Sequence, residues 1–170
     1  MNQRPGPRRV HIIGHKNHGK TTLVCELIEV LVRRGIKVGT VKHTHHEHEL
    51  DVPGKDSFRH RASGAFPAAI LSRSSCAVFW DAPRSDREEE RYALFEPVFA
   101  DCDVVLVEGD QSASGIKIEV WRAEVGSEPL ARNDPTIHLV VSDDWVDCDC
   151  RVIRRSDIAR LSDTIIGWIA

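Results

Sequence analysis

No run in the 170-residue sequence approaches the roughly 18 consecutive apolar residues of a membrane span, and no apolar signal segment follows its basic, Pro/Gly-rich first residues. A cytoplasmic protein is the expectation. A disulfide framework is also missing, because the five cysteines are odd in number and scattered at Cys25, Cys76, Cys102, Cys148 and Cys150, which suits reduced thiols. Cys148 and Cys150 stand closer together than the usual zinc-ligand spacing. With a formal net charge of only -3, no global field would draw the chain onto nucleic acid or an anionic membrane, so any anion must be held by a local site. There is no internal repeat or low-complexity tract. With 41% hydrophobic and 29% charged residues, the compositional signature of disorder is lacking as well. These absences leave a flexible lead-in over residues 1–8 and a single globular domain over residues 9–170.

What is present alternates between strand and helix. Residues 10–13 form a β-branched run that ends at Gly14, and Leu23, Leu27 and Leu31 then recur at helical spacing from about Lys20. That helix should stop at Arg33-Arg34-Gly35, where cations meet the carboxyl end of the dipole and glycine supplies a left-handed cap. Residues 36–41 give a second strand, parallel to the first in one sheet. A long polar loop follows, with a short helix after Asp56. Residues 68–72 and 76–80 pair as a hairpin that can stand outside the main sheet. Ser85 to Glu88 matches a capping box opening a helix that carries Leu94, Phe95, Val98 and Phe99. Residues 104–107 are wholly apolar, as expected of a central parallel strand covered on both faces. Strands over 116–121 and 137–141 come next, and Ser156 can cap a last helix with Ile158, Leu161, Ile165 and Ile169 inward. The expected class is therefore α/β, three layers around a mostly parallel sheet.

Gly14-His15-Lys16-Asn17-His18-Gly19-Lys20-Thr21 fits G-x-x-x-x-G-K-[ST] at every fixed position. A chain of this length meets that pattern by chance only about once in a hundred. It also falls where the mechanism needs it, after a strand and at the start of a helix. Backbone N–H groups of the loop, from Gly14 through Lys16, Asn17, His18 and Gly19 to Thr22, would converge on nucleotide phosphates. Lys20 would contact the β- and γ-phosphates, with a catalytic part in their transfer, and Thr21 would place its hydroxyl on Mg²⁺. A second element, residues 103–109, is an apolar strand delivering Glu108 at its carboxyl end. Phosphate-bound Mg²⁺ needs one or two carboxylates, so Glu108 suits a Walker B role, metal-linked and catalytic, with Asp51 a further candidate for the ion.

The run Lys42-His43-Thr44-His45-His46-Glu47-His48 is rich in imidazole, the commonest zinc ligand. Strand alternation puts His43 and His45 on one side and His46 and His48 on the other, so all four cannot ligate one ion from a regular strand. The segment reads as a solvated loop, a zinc site, or a loop near the phosphates to which His43, His46 and Asp56 would contribute. For the base, the chain has no Asn-Lys-x-Asp. A carboxylate must still meet the guanine N1–H and amino donors if the base is guanine, and Asp143, with Ser142 beside it, follows the strand where such a residue belongs in this fold class.

The combined run Gly-x-Lys-Asn-x-Gly-Lys-Thr-Thr at 14–22, then Lys42-His43-Thr44-His45-His46, Asp51-Val52-Pro53-Gly54-Lys55-Asp56-Ser57-x-Arg59-His60-Arg61 and Gly64-Ala65, resembles the MobB family of molybdopterin-guanine dinucleotide biosynthesis proteins. Val104 to Gly109, Lys117-Ile118-Glu119-Val120 and Val140-Val141-Ser142-Asp143 continue the match over about residues 9–145. The resemblance implies a dimeric, P-loop GTP-binding protein with GTP and Mg²⁺ as cofactors and weak GTPase activity. It also implies a role assisting a MobA-like molybdopterin guanylyltransferase, among other molybdenum cofactor proteins. The chain departs from the family at His18, where serine is common and the backbone N–H is what matters. Two other classes stay open: a small-molecule kinase using Arg59, Arg61 and Arg73, and a nucleotide-switched binding module without turnover.

Overall fold

The computed structural model describes residues 8–44, 51–80, 85 and 87–170, the side chain of Glu89 excepted. Its elements in chain order are β1 (Arg8–Ile13), α1 (Lys20–Arg33), β2 (Val38–Lys42), α2 (Asp56–Ala62), β3 (Ala68–Leu71), β4 (Cys76–Phe79), α3 (Glu88–Ala93), β5 (Val104–Glu108), β6 (Ile116–Val120), β7 (Leu139–Val141), β8 (Arg151–Ile153) and α4 (Ile158–Ile169). They form two compact units, one from Met1–Thr44 with Leu94–Ala170 and one from His45–Ala93.

The first unit is built on a six-stranded sheet in the order β2-β5-β1-β6-β7-β8, with every neighbouring pair parallel. β5 lies between β1 and β2, so the first two strands share the sheet without touching, and Val104 to Val107 are buried on both faces. One face carries Val10, Ile12, Leu106, Ile118 and Leu139, packed against Leu23, Leu27 and Leu31 of α1 and Leu161 and Ile165 of α4. The helical spacing in the sequence exists for this contact. α1 ends as its Arg-Arg-Gly signal requires: Gly35 sits at φ 82°, and the Gly35 and Ile36 N–H groups donate to the carbonyls of Val32 and Leu31. Gly39 in β2 lets the Phe99 ring approach, since a Cβ there would come within 2.6 Å of it.

The second unit holds α2 and the antiparallel hairpin β3–β4, whose register pairs Ala68 with Phe79 and Leu71 with Cys76. This is the separate hairpin expected from the sequence, and Leu71, Ile70, Val78 and Trp80 on it are exposed.

Two local expectations differ in the structure, and one strand is added. The helix opened near Ser85 stops at Ala93 and does not carry Leu94 to Phe99, because Pro97 has no N–H and disfavours helical geometry at Glu96. Leu94 and Val98 are exposed, and the Ser85 hydroxyl bonds the Arg87 N–H and the Glu90 carboxylate. The cap of α4 is Asp157, which accepts from the Arg160 N–H, while Ser156 turns its hydroxyl to Asp143. Finally, β8 extends the sheet by a strand of only three residues, too short for a periodicity signal.

Candidate functional site

β1 delivers the glycine-rich loop at its carboxyl end. Gly14 adopts φ 137°, and a Cβ there would lie 2.5 Å from the Val120 carbonyl oxygen of β6, so the turn leaving the strand admits only glycine. Asn17 follows at φ 69°, a left-handed position that asparagine tolerates, and Gly19 at φ 90° starts α1. α1 has no capping side chain and no acid in its first turn, unlike α4, which is capped by Asp157. Its first N–H groups and the positive end of its dipole therefore lack an internal counterpart, which is the arrangement that takes an anion. Lys20 rests its ammonium on the His15 carbonyl oxygen at 2.8 Å. Partial burial pulls its pKa below the usual lysine value; Glu108 opposes this and Lys42 adds to it.

β5 brings the acid. Ile12 pairs with Glu108 across the β1–β5 ladder, so the carboxylate emerges level with the start of the loop. The Thr21 hydroxyl donates to Glu108 Oε1 at 2.7 Å, bringing together two residues that the sequence assigned to one ion from positions 87 apart. After Glu108 the chain turns through Gly109 at φ 97°, where a Cβ would be 2.8 Å from the His43 carbonyl oxygen. The His43 N–H in turn donates to the Glu108 carbonyl at 2.9 Å, which sets the end of β2 beside the acid. Asp110 takes the left-handed conformation in this turn, and Asp103 accepts the Lys37 N–H at the other end of β5.

The opposite flank of the loop was not legible in the sequence. His18, expected to matter through its backbone, buries its ring: Nδ1 accepts the Arg122 N–H at 2.9 Å, so Nε2 carries the proton and meets Ser127 Oγ at 2.7 Å. Burial, then the nearby His15, Lys20 and Arg122, hold the imidazole pKa below its ordinary value. The Arg122 guanidinium reaches the Asn17 carbonyl at 2.8 Å and the His18 carbonyl at 3.2 Å, with Glu124 as its counter-ion at 2.8 Å. A bulky residue at position 18 and an arginine just after a strand were the available signals. The arginine has no fixed spacing from the loop.

At the end of β7, Ser142 is buried and holds the Asp144 N–H, and Asp143 Oδ1 accepts from the Ser156 N–H and hydroxyl. The neighbouring Arg155 makes a bidentate pair with Glu26 of α1 at 2.7 and 3.0 Å, which lowers the Glu26 pKa. The segment after β8 is thereby fastened to both the Asp143 turn and α1.

In the second unit, Asp51 is buried and its carboxylate is engaged locally, accepting from the Ser57 hydroxyl at 2.8 Å and the Val52 N–H at 3.0 Å, with Arg61 at 3.5 Å. Asp56 is exposed on α2. His45, His46 and His48 lie outside the described residues, and among the described residues no group of three or more His, Cys, Asp or Glu is placed to hold a metal ion. Cys148 and Cys150 are free thiols 3.3 Å apart, half-buried, with burial pushing Cys150 up to about 12.

The family model for molybdopterin guanine dinucleotide synthesis protein B, MobB, matches residues 9–143. The chain belongs to the MobB family. It is 32% identical over 152 residues to the molybdopterin-guanine dinucleotide biosynthesis adapter protein of Escherichia coli K12, covering 89% of this chain and 87% of that one. The corresponding adapter protein of Haemophilus influenzae is 29% identical over 158 residues, covering 93% and 87%. A crystal structure of molybdopterin-guanine biosynthesis protein B superposes with a TM-score of 0.68 at 28% identity, covering 95% of this chain and 98% of that one. The architecture is thus the three-layer α/β P-loop fold of MobB proteins, and the family's work lies in molybdopterin-guanine dinucleotide biosynthesis. No described helix is long and apolar enough to cross a membrane.

Proposed function

We propose that the chain is a cytoplasmic, GTP-binding adapter with weak GTPase activity that assists a MobA-like guanylyltransferase in forming molybdopterin guanine dinucleotide. The observation that carries the reading is the loop at Gly14 to Thr22. It opens an uncapped helix, presents Lys20, and joins Thr21 directly to Glu108 on the neighbouring strand. The paired hydroxyl and carboxylate suit Mg²⁺, which binds one or two protein oxygens and keeps phosphate oxygens and waters for the rest. When bound, the ion would neutralise charge on the β- and γ-phosphates. Lys20 leaves the His15 carbonyl for those phosphates, and the loop N–H groups fix their position. Glu108, which accepts the Thr21 hydroxyl, would be the carboxylate that holds the ion beside that hydroxyl. Ser142 and Asp143 receive the guanine edge, with the free oxygen of Asp143 as acceptor. His43 stands beside Glu108, whereas Asp51 has its carboxylate bonded within its own unit and is the weaker ion candidate.

A homodimer formed through the exposed hairpin residues Ile70, Leu71, Val78 and Trp80 completes the reading. Calorimetry with GTP and ATP in Mg²⁺, followed by labelled GTP with and without acceptor alcohols, tests the function. GTP should bind more tightly and release inorganic phosphate slowly. Equal affinities would remove the guanine assignment, and a phosphorylated acceptor would make the chain a small-molecule kinase.

A further inference from the structure

The connection from β7 to β8 carries two cysteines, Cys148 and Cys150, that the nucleotide site does not use. On extended chain, side chains two residues apart share a face but stand about 6.6 Å from each other. Here the chain bends at Asp149 and Cys150, and the two sulfurs come within 3.3 Å. The Cys150 thiol donates to Cys148 Sγ, and the Cys148 thiol donates to the Cys150 carbonyl at 3.6 Å, so each residue orients the other's sulfur. An S–S bond is about 2.05 Å long, so closure asks for an approach of only roughly 1.3 Å.

Both side chains are half-buried. Inward they pack on the cluster of Ile13, Trp121, Ile137, Val140 and Val146, which steadies the turn, and their remaining surface meets solvent, where a small reagent reaches them. Two other uses of the pair fit less well. A structural zinc ion takes four ligands, and among the described residues no group of three or more His, Cys, Asp or Glu is placed to hold a metal. Glu119, whose charge acts on Cys150, already accepts the N–H groups of Leu130 and Ala131 at 2.7 and 2.8 Å. Simple filling of the apolar cluster requires neither solvent exposure nor a bond between the two sulfurs.

We propose that Cys148 and Cys150 form a redox-active dithiol, a modification site that closes to a disulfide by exchange with a low-molecular-weight disulfide. Cys148 is the attacking sulfur. Burial, then the bond to Cys148, push the Cys150 thiol up to about 12, so it keeps its proton while Cys148 reacts. The Cys148 thiolate attacks one sulfur of the small disulfide: that S–S bond breaks, a mixed disulfide forms, and one small thiol leaves with the proton that Cys148 gave up. The negative sulfur that held the Cys150 proton is then gone. Cys150 attacks Cys148 Sγ, breaking the mixed disulfide and expelling the second small thiol, which takes the Cys150 proton. Two protein thiols are oxidised, and one small disulfide is reduced to two thiols.

Trypsin cuts after Arg132 and Arg151, so one peptide, residues 133–151, holds both cysteines and none of Cys25, Cys76 and Cys102. The full-length parent, Cys148→Ser and Cys150→Ser, with folding checked by circular dichroism, are incubated with excess glutathione disulfide, blocked with N-ethylmaleimide, digested and weighed. The parent peptide should lose two hydrogens and carry neither maleimide nor glutathione, and excess glutathione should restore both thiols. Cys150→Ser should stop at the mixed disulfide, with one glutathione on Cys148. Cys148→Ser should acquire glutathione about tenfold more slowly, because its remaining thiol holds its proton more tightly. No nucleotide enters the measurement, so its outcome is independent of the GTP reading. Two maleimides on the parent peptide once exposed Cys25 carries glutathione, glutathione on both sulfurs without ring closure, or equal rates in the two variants would overturn the proposal.

Discussion

The two flanks of the phosphate loop are built in opposite ways. Toward β6 the loop is locked: the buried His18 ring joins Arg122 and Ser127, and the Arg122 guanidinium holds the carbonyls of Asn17 and His18. Toward β5 one exposed bond, Thr21 to Glu108, spans the gap. Breaking one of the part-buried His18 bonds leaves a group with poor access to water, at about 1–3 kcal/mol. An exposed bond is worth about 0.5–1.5 kcal/mol and exchanges readily with solvent or an ion. The difference shows how a loop can stay in shape without ligand and still admit one, being fixed from one side and open on the other.

The comparison can be broken at its most sensitive point by removing the charge on the open side. Lys20→Ala removes a charge-assisted contact worth roughly 1.5–3 kcal/mol, so triphosphate affinity should fall about 10- to 150-fold, with the melting temperature near that of the parent. Unchanged affinity in a folded variant would rule out phosphate binding by this loop.

On the locked side the effects should appear in stability first. Arg122→Ala frees two loop carbonyls, and since the residue is only half-buried we expect a loss of about 1–2 kcal/mol in urea unfolding and a several-fold drop in nucleotide affinity. A variant with parental stability would show that the arginine merely rests on the loop. His18→Ser, the smaller change, should cost about 1 kcal/mol and leave nucleotide affinity within about twofold. It should also remove a pH dependence. The His18 pKa in the folded chain lies below the ordinary 6.5, so the unfolded state binds the proton more readily. Its contribution is therefore fully present above about 6.5 and declines as pH falls from there toward the folded pKa. Parent and variant unfolding free energies should converge as pH falls through that window, and parallel curves would contradict the neutral, Nε2-protonated ring.

The open flank was legible in the sequence and the locked flank was not, for a physical reason. Phosphate binding needs fixed residue types at fixed spacing after a strand, so Gly14, Gly19, Lys20 and Thr21 announce themselves, and an apolar run ending in Glu108 can be read as its acidic neighbour. The locking contacts join His18 to Arg122 and Ser127 across more than a hundred residues, and the sheet order that makes them neighbours leaves no local pattern. Within the fold, long periodic elements such as α1 and β5 were readable almost to the residue. The apolar spacing of Leu94 to Phe99 does not continue the helix because Pro97 interrupts it. The cap of α4 fell one residue away from the serine expected, because Asp143 competes for the Ser156 hydroxyl.

The central claim is a Mg²⁺-dependent triphosphate site in which Thr21 and Glu108 would hold the ion. Titrating Mg²⁺ against a fluorescent GTP analogue bound to the parent and to Glu108→Gln tests it directly, since glutamine keeps size and hydrogen bonding and removes only the charge. The variant should keep its metal-free nucleotide affinity and lose most of the gain that Mg²⁺ confers on the parent. Superimposable titration curves would contradict the account.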